Sequence, residues 1–139
     1  MNEYRWADLA VGMREELTVT VDSAAIDTFA ALTGDDNPLH VDPESARAAG
    51  FRDRLVHGLL TASYYSTLVG IHLPGRYALL QGLDVDFALP VYPGDTLTVS
   101  GTIAFLSEAT RLVKIDAEIR NAEGARVSKA KIRAGIRER

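Results

Sequence analysis

Apolar and polar residues alternate along four stretches of this chain, and apolar residues recur at helical spacing between them. From Glu16 to Val21, Leu17, Val19 and Val21 fall on one face and Glu16, Thr18 and Thr20 on the other, which predicts a half-buried strand. Thr96 to Phe105 repeats the pattern with Leu97, Val99, Gly101, Ile103 and Phe105 on one side. Leu112 to Arg120 sets Val113, Ile115, Ala117 and Ile119 against Lys114, Asp116, Glu118 and Arg120. Asn121-Ala122-Glu123-Gly124 then predicts a hairpin turn, after which Ser128, Ala130, Ile132 and Ala134 alternate with Lys129, Lys131 and Arg133. Tyr77 to Leu89 is apolar enough for a buried strand bent near Gly82, and Pro90 to Asp95 has the composition of a turn.

Helical signals occupy the first half. Asp22 or Ser23 caps a helix running to about Thr33, with Ile26, Phe29, Ala30 and Leu32 available for its buried side. Pro43 opens a short Ala-rich helix through Ala49, ended by Gly50. His57 to Gly70 carries no charge and is small or apolar all round, the pattern of a buried helix. Residues 1–15 are irregular, with Trp6, Leu9 and Val11 as packing points and Gly12 as a turn.

Three consecutive amphipathic strands imply an antiparallel sheet with one wet face. Its dry face needs a cover, and only the uncharged helix is apolar enough. The expected architecture is α+β, a curved antiparallel sheet wrapped round a long central helix. With no linker, repeat or low-complexity tract, residues 1–139 form one domain.

Composition narrows the chemistry. A 47% apolar and 24% charged content is that of an ordinary globular protein, and a net charge of −4 without a dense basic block argues against nucleic acid as a main partner. The absence of cysteine removes disulfide and thiolate chemistry. Three histidines far apart in sequence make a metal site improbable. No signal peptide or membrane-length apolar run is visible, so a cytoplasmic protein is expected.

One stretch concentrates reactive side chains. Gly34-Asp35-Asp36-Asn37-Pro38-Leu39-His40 places two carboxylates, an amide and an imidazole just past a helix end. Gly34 can take the left-handed helix-ending conformation, and Pro38 fixes its own φ and drives Asn37 out of helical geometry. Such a constrained turn can hold an acid and a base at fixed separation. An ordinary surface turn has the same composition. Downstream, the first turn of the uncharged helix offers free N–H groups to a carbonyl gaining negative charge, with Gly58 admitting close approach. His57 itself reads as a capping or packing residue.

Together, Asp35-x-Asn37-Pro38-Leu39-His40, Val56-His57-Gly58 and the segment Phe87 to Asp95 make the chain resemble the MaoC-like, (R)-specific enoyl-CoA hydratases of the hot-dog fold. The resemblance covers nearly the whole chain and is least diagnostic before Glu16. It implies Asp35 and His40 as the catalytic pair, Asn37 orienting the loop or a bound water, Gly58 holding the thioester carbonyl, and Ser66 in support. It also implies hydration of a trans-2-enoyl-CoA with no cofactor or metal, in a homodimer or higher oligomer with its pockets at the subunit interface. A dehydratase acting on acyl carrier protein thioesters or polyketide intermediates would use the same pair. A thioesterase or a non-catalytic acyl-binding subunit fits these residues less well.

Overall fold

The computed structural model describes residues 1–138. Five strands form one sheet: β1 (Arg14–Val21), β2 (Ala78–Phe87), β3 (Asp95–Ser107), β4 (Leu112–Arg120) and β5 (Arg126–Ile136). Their order is β1-β3-β4-β5-β2 and every pairing is antiparallel. A 3₁₀ turn at Trp6–Asp8 and four α-helices precede β2: α1 (Ser23–Thr33), α2 (Pro38–Val41), α3 (Pro43–Ala48) and α4 (Gly58–Thr67), the last running into a π-helical turn at Leu68–His72. Among the described residues no helix is long and apolar enough to cross a membrane.

The inward face of the sheet is apolar because the alternating residues point there. Leu97, Val99, Ile103, Val113, Ile115, Ile119, Ile132 and Ala134 are buried, and α4 with its π-helical extension covers them. Two details set how closely the helix sits. Gly101 lies under Leu68, and a Cβ on Gly101 would come within 2.8 Å of the Leu68 side chain and 2.9 Å of Ile115. Tyr65 is fully buried and its hydroxyl is hydrogen-bonded to that of Ser128 on β5 at 2.5 Å. Burial pushes the Tyr65 phenol up to about 12, so this contact is between neutral hydroxyls.

The predicted caps and turns form as expected. Asp22 accepts from the N–H of Ala25 at 2.9 Å to start α1, and Gly34 ends it with φ 78°. Asn121 closes the β4–β5 turn by accepting from Glu123 and Ala125, with Gly124 at φ 78°.

Other expectations are corrected. Leu32 is 81% exposed, because it lies well off the Ile26–Phe29–Ala30 stripe of α1. Val11 is exposed, while Trp6 and Leu9 pack as predicted. Phe105 does not continue the inward face of β3. The register slips between Ile103 and Phe105, a β-bulge at Ala104 that turns Phe105 outward beneath Lys114 and places Leu106 opposite Val113. The central helix is not buried all round, since Leu59, Ser63 and Ser66 form an exposed stripe along α4.

The largest departure is β2. It bends where predicted, with a register shift between Leu80 and Gly82, but it is an exposed edge strand rather than a buried one. Leu79, Leu80, Leu83 and Phe87 are all more than a third exposed. An edge of this length and apolarity is open to pairing.

Adding a methyl group at Gly101 tests the helix–sheet contact. Gly101→Ala is expected to destabilise the protein by about 1–3 kcal/mol in urea denaturation, through overpacking against Leu68 and Ile115. An unchanged or raised midpoint would show that the helix is free to move off the sheet.

Candidate active site

The site is assembled where the α1–α2 connection meets the first turn of α4. Thr33 Oγ1 donates to the Phe29 carbonyl at 2.8 Å and accepts from the N–H of Asp35 at 3.2 Å, so the chain leaves α1 along a defined path. The Asp35 carboxylate accepts from the N–H of Asn37 at 3.4 Å, and Asn37 Oδ1 accepts from the N–H of Leu39 at 3.0 Å. Asn37 is therefore the cap of α2, with Pro38 in the first helical position. The sequence shows a bent turn here, and the structure adds that Pro38–Val41 is helical, which carries His40 to the inner side.

His40 is half-buried and its Nδ1 lies 2.9 Å from the Leu55 carbonyl. A carbonyl only accepts, so Nδ1 carries a proton and Nε2 is left for chemistry. His57 is 2% exposed, and its Nε2 lies 2.9 Å from the backbone carbonyl of Asp35. The two imidazoles stack with centroids 3.9 Å apart and planes inclined by 26°. Phe29 covers the other side of His57 at 4.7 Å. In sequence, His57 reads as a capping or packing residue. It packs, but its side chain makes no cap hydrogen bond to α4.

A carboxylate oxygen of Asp35 and a ring nitrogen from each of His40 and His57 lie within 4.8 Å of one another, among the described residues the one grouping compact enough to suggest a metal. One nitrogen of each ring is already engaged, His40 Nδ1 by the Leu55 carbonyl and His57 Nε2 by the Asp35 carbonyl.

Beside His40 a pocket of about 340 Å³ opens, lined by Phe51, Leu55, Val56, Gly58, Thr61 and the segment Phe87–Val91 with Val127. Its walls are mostly apolar, and His40 is the one titratable group among them. Gly58 forms its floor against Phe87, where an added Cβ would meet the ring at 3.2 Å. As the first residue of α4, Gly58 has no helical acceptor for its N–H. The structure thus brings Asp35 to His40 and His40 to Gly58, while Asp35 and Asn37 are exposed and do not line the pocket. Ser66 lies exposed two turns along α4 and does not line this pocket.

A model of the MaoC like domain matches residues 8–123. The chain belongs to this family. It is 37% identical over 117 residues to the (R)-specific enoyl-CoA hydratase of Aeromonas caviae, a match spanning 84% of this chain and 87% of that protein. The solved (R)-hydratase from A. caviae, described as involved in PHA biosynthesis, is similar with a TM-score of 0.89 and 33% identity over 93% of this chain and 98% of that one. A mitochondrial 3-hydroxyacyl-[acyl-carrier-protein] dehydratase of Arabidopsis thaliana is 44% identical over 89 residues, spanning 64% of this chain and 52% of that protein. The sheet wrapped on α4 is the hot-dog fold of these MaoC-like proteins.

Arg54 braces the site from behind. It donates to Asp27 at 2.6 Å, to the Ser23 carbonyl at 3.3 Å and to the His40 carbonyl at 3.5 Å, tying α1 to α2. The hydrogen bond from Arg54 holds the Asp27 carboxyl below the usual aspartate range. A depressed folded-state value stabilises the protein above the ordinary aspartate pKa and loses that contribution as pH falls through the folded value. The stability difference between wild type and Asp27→Asn should accordingly be present in urea melts at pH 7 and shrink on acidification through the aspartate range. A difference independent of pH would contradict the ion pair.

Proposed function

We propose that the protein adds water to a trans-2-enoyl-CoA to give the (R)-3-hydroxyacyl-CoA, and runs the reverse dehydration. The observation that carries this is the placement of the Asp35 carboxylate within 4.8 Å of a ring nitrogen of His40, beside an apolar pocket floored by Gly58. Two hydrogen bonds of about 2.8 Å to one water span about that distance. A water held there gives a proton to the Asp35–His40 pair as its oxygen bonds to the β-carbon of the enoyl group. The electron pair of the double bond moves toward the thioester carbonyl, whose oxygen takes on enolate charge. The N–H of Gly58 stabilises that charge at the positive end of α4. A proton delivered by the Asp35–His40 pair to the α-carbon completes the addition. Asn37 keeps Asp35 in place through the α2 cap. Resident metal or organic cofactors have no step in this scheme, and in this reading the working protein is cytoplasmic.

With crotonyl-CoA, loss of the conjugated enoyl-thioester absorbance is expected, with the (R)-3-hydroxy thioester as product. Asp35→Asn and His40→Ala should each lower turnover about 10²–10⁴-fold, the range for a positioned acid or base. Folded variants at near wild-type rates would overturn the assignment.

The similarity to an acyl-carrier-protein dehydratase supports a second reading, in which the same pair dehydrates a 3-hydroxyacyl group on a carrier protein. Comparing kcat/KM for crotonyl-CoA and for the crotonylated carrier separates the two.

The working unit in this reading is a homodimer. The exposed apolar edge β2 runs directly into the pocket segment Phe87–Leu89, so a second copy joined along β2 would lie against the pocket. Light scattering at micromolar concentration should give the dimer mass, and Leu83→Lys should shift it toward monomer. A wild-type monomer would refute the arrangement.

A further inference from the structure

We propose that His57 is a positioning residue of this site, setting Asp35 and His40 in register with the first turn of α4. The inference rests on the hydratase reading for its functional consequence and on geometry for its structure.

The observation that packing does not explain is an orphaned atom. His57 Nε2 donates to the Asp35 carbonyl, so Nδ1 is the unprotonated nitrogen, and that Nδ1 is buried with no hydrogen-bond partner. An unsatisfied buried acceptor is costly, and neighbours such as Phe29 and Val56 would accept an apolar ring without that cost. What an apolar ring cannot supply is the N–H that holds the Asp35 carbonyl. The connection it holds is otherwise open, since every residue from Ala31 to Pro38 is exposed. Apart from the local Thr33 and Asn37 bonds, His57 is the contact that fixes the backbone of Asp35 to the body of the protein.

The same ring orients the second partner. With His40 Nδ1 bound to Leu55 and its face stacked on His57, the His40 ring is held on one edge and one face. Because His57 directly precedes Gly58, it links acid, base and carbonyl site at adjoining backbone positions. Displacements on the order of 1 Å in such a set cost on the order of 10²-fold in rate.

Two variants separate the hydrogen bond from the packing. His57→Phe keeps a stacked ring and removes the donor, and His57→Gln keeps an N–H at similar reach and removes the ring. Relative to wild type, His57→Phe is expected to lower kcat about 10²-fold with KM changed less than about threefold, and His57→Gln to recover at least about tenfold of that loss. A His57→Phe enzyme with wild-type kcat, a loss confined to KM, or equal losses in both variants matching their loss of folded protein would each overturn the proposal. A second readout is independent of catalysis. Nitrogen-15 NMR of the wild-type imidazoles should show His57 as the Nε2–H tautomer, with that proton protected from exchange and the Asp35–Asn37 amides exchanging faster in His57→Phe. The other tautomer, or unchanged loop exchange, would refute the positioning role even if the hydratase reading stands. Inactive wild-type protein with the expected tautomer and loop protection would instead count against the hydratase reading alone.

Discussion

The close seating of α4 on the sheet is the constraint on which the rest depends. Five strands present one apolar face, and α4 with its π-helical turn is the element that removes it from water. Gly101 lets Leu68 approach the centre of the sheet, and the Tyr65–Ser128 pair satisfies the polar atoms this approach buries. Once α4 is fixed lengthwise, so is its N-terminus. The free N–H of Gly58 is then a fixed point to which the α1–α2 connection must be brought.

That connection arrives by local rules and is fastened by one tertiary contact. Gly34, Asn37 and Pro38 shape the path through capping and φ restriction, while His57 reaches back from α4 to hold it. His40 thus sits in the wall of an otherwise apolar pocket, with the exposed Asp35 carboxylate close to it. There, a backbone donor fixed by α4 needs no reorganisation to meet a developing charge. The proposed hydration asks for little more than this: a held water, a proton acceptor and donor, and a donor for one oxygen.

Much of this was legible in the sequence because its determinants are local. Alternation marks β1, β3, β4 and β5, Asp22 and Gly34 mark the ends of α1, and Asn121 marks the β4–β5 turn. The Asp35–His40 spacing was readable because Pro38 fixes it within a few bonds. What remained hidden depends on partners distant in sequence. The apolar content of β2 implies burial but does not say by what, and this chain leaves it at an edge. The bulge at Ala104 that turns Phe105 outward breaks a period without any Gly or Pro to announce it. His57 reads in sequence as a capping or packing residue, because nothing near it in sequence reveals that the Asp35 carbonyl and the His40 ring come to meet it.

The most direct measurement is a crystal structure of the Asp35→Asn variant with bound crotonyl-CoA. The thioester oxygen is expected about 3 Å from the N–H of Gly58, with the β-carbon facing His40 and position 35. A thioester bound elsewhere, for instance on the charged outer face of the sheet around Asp84, Asp116 and Lys131, would contradict it.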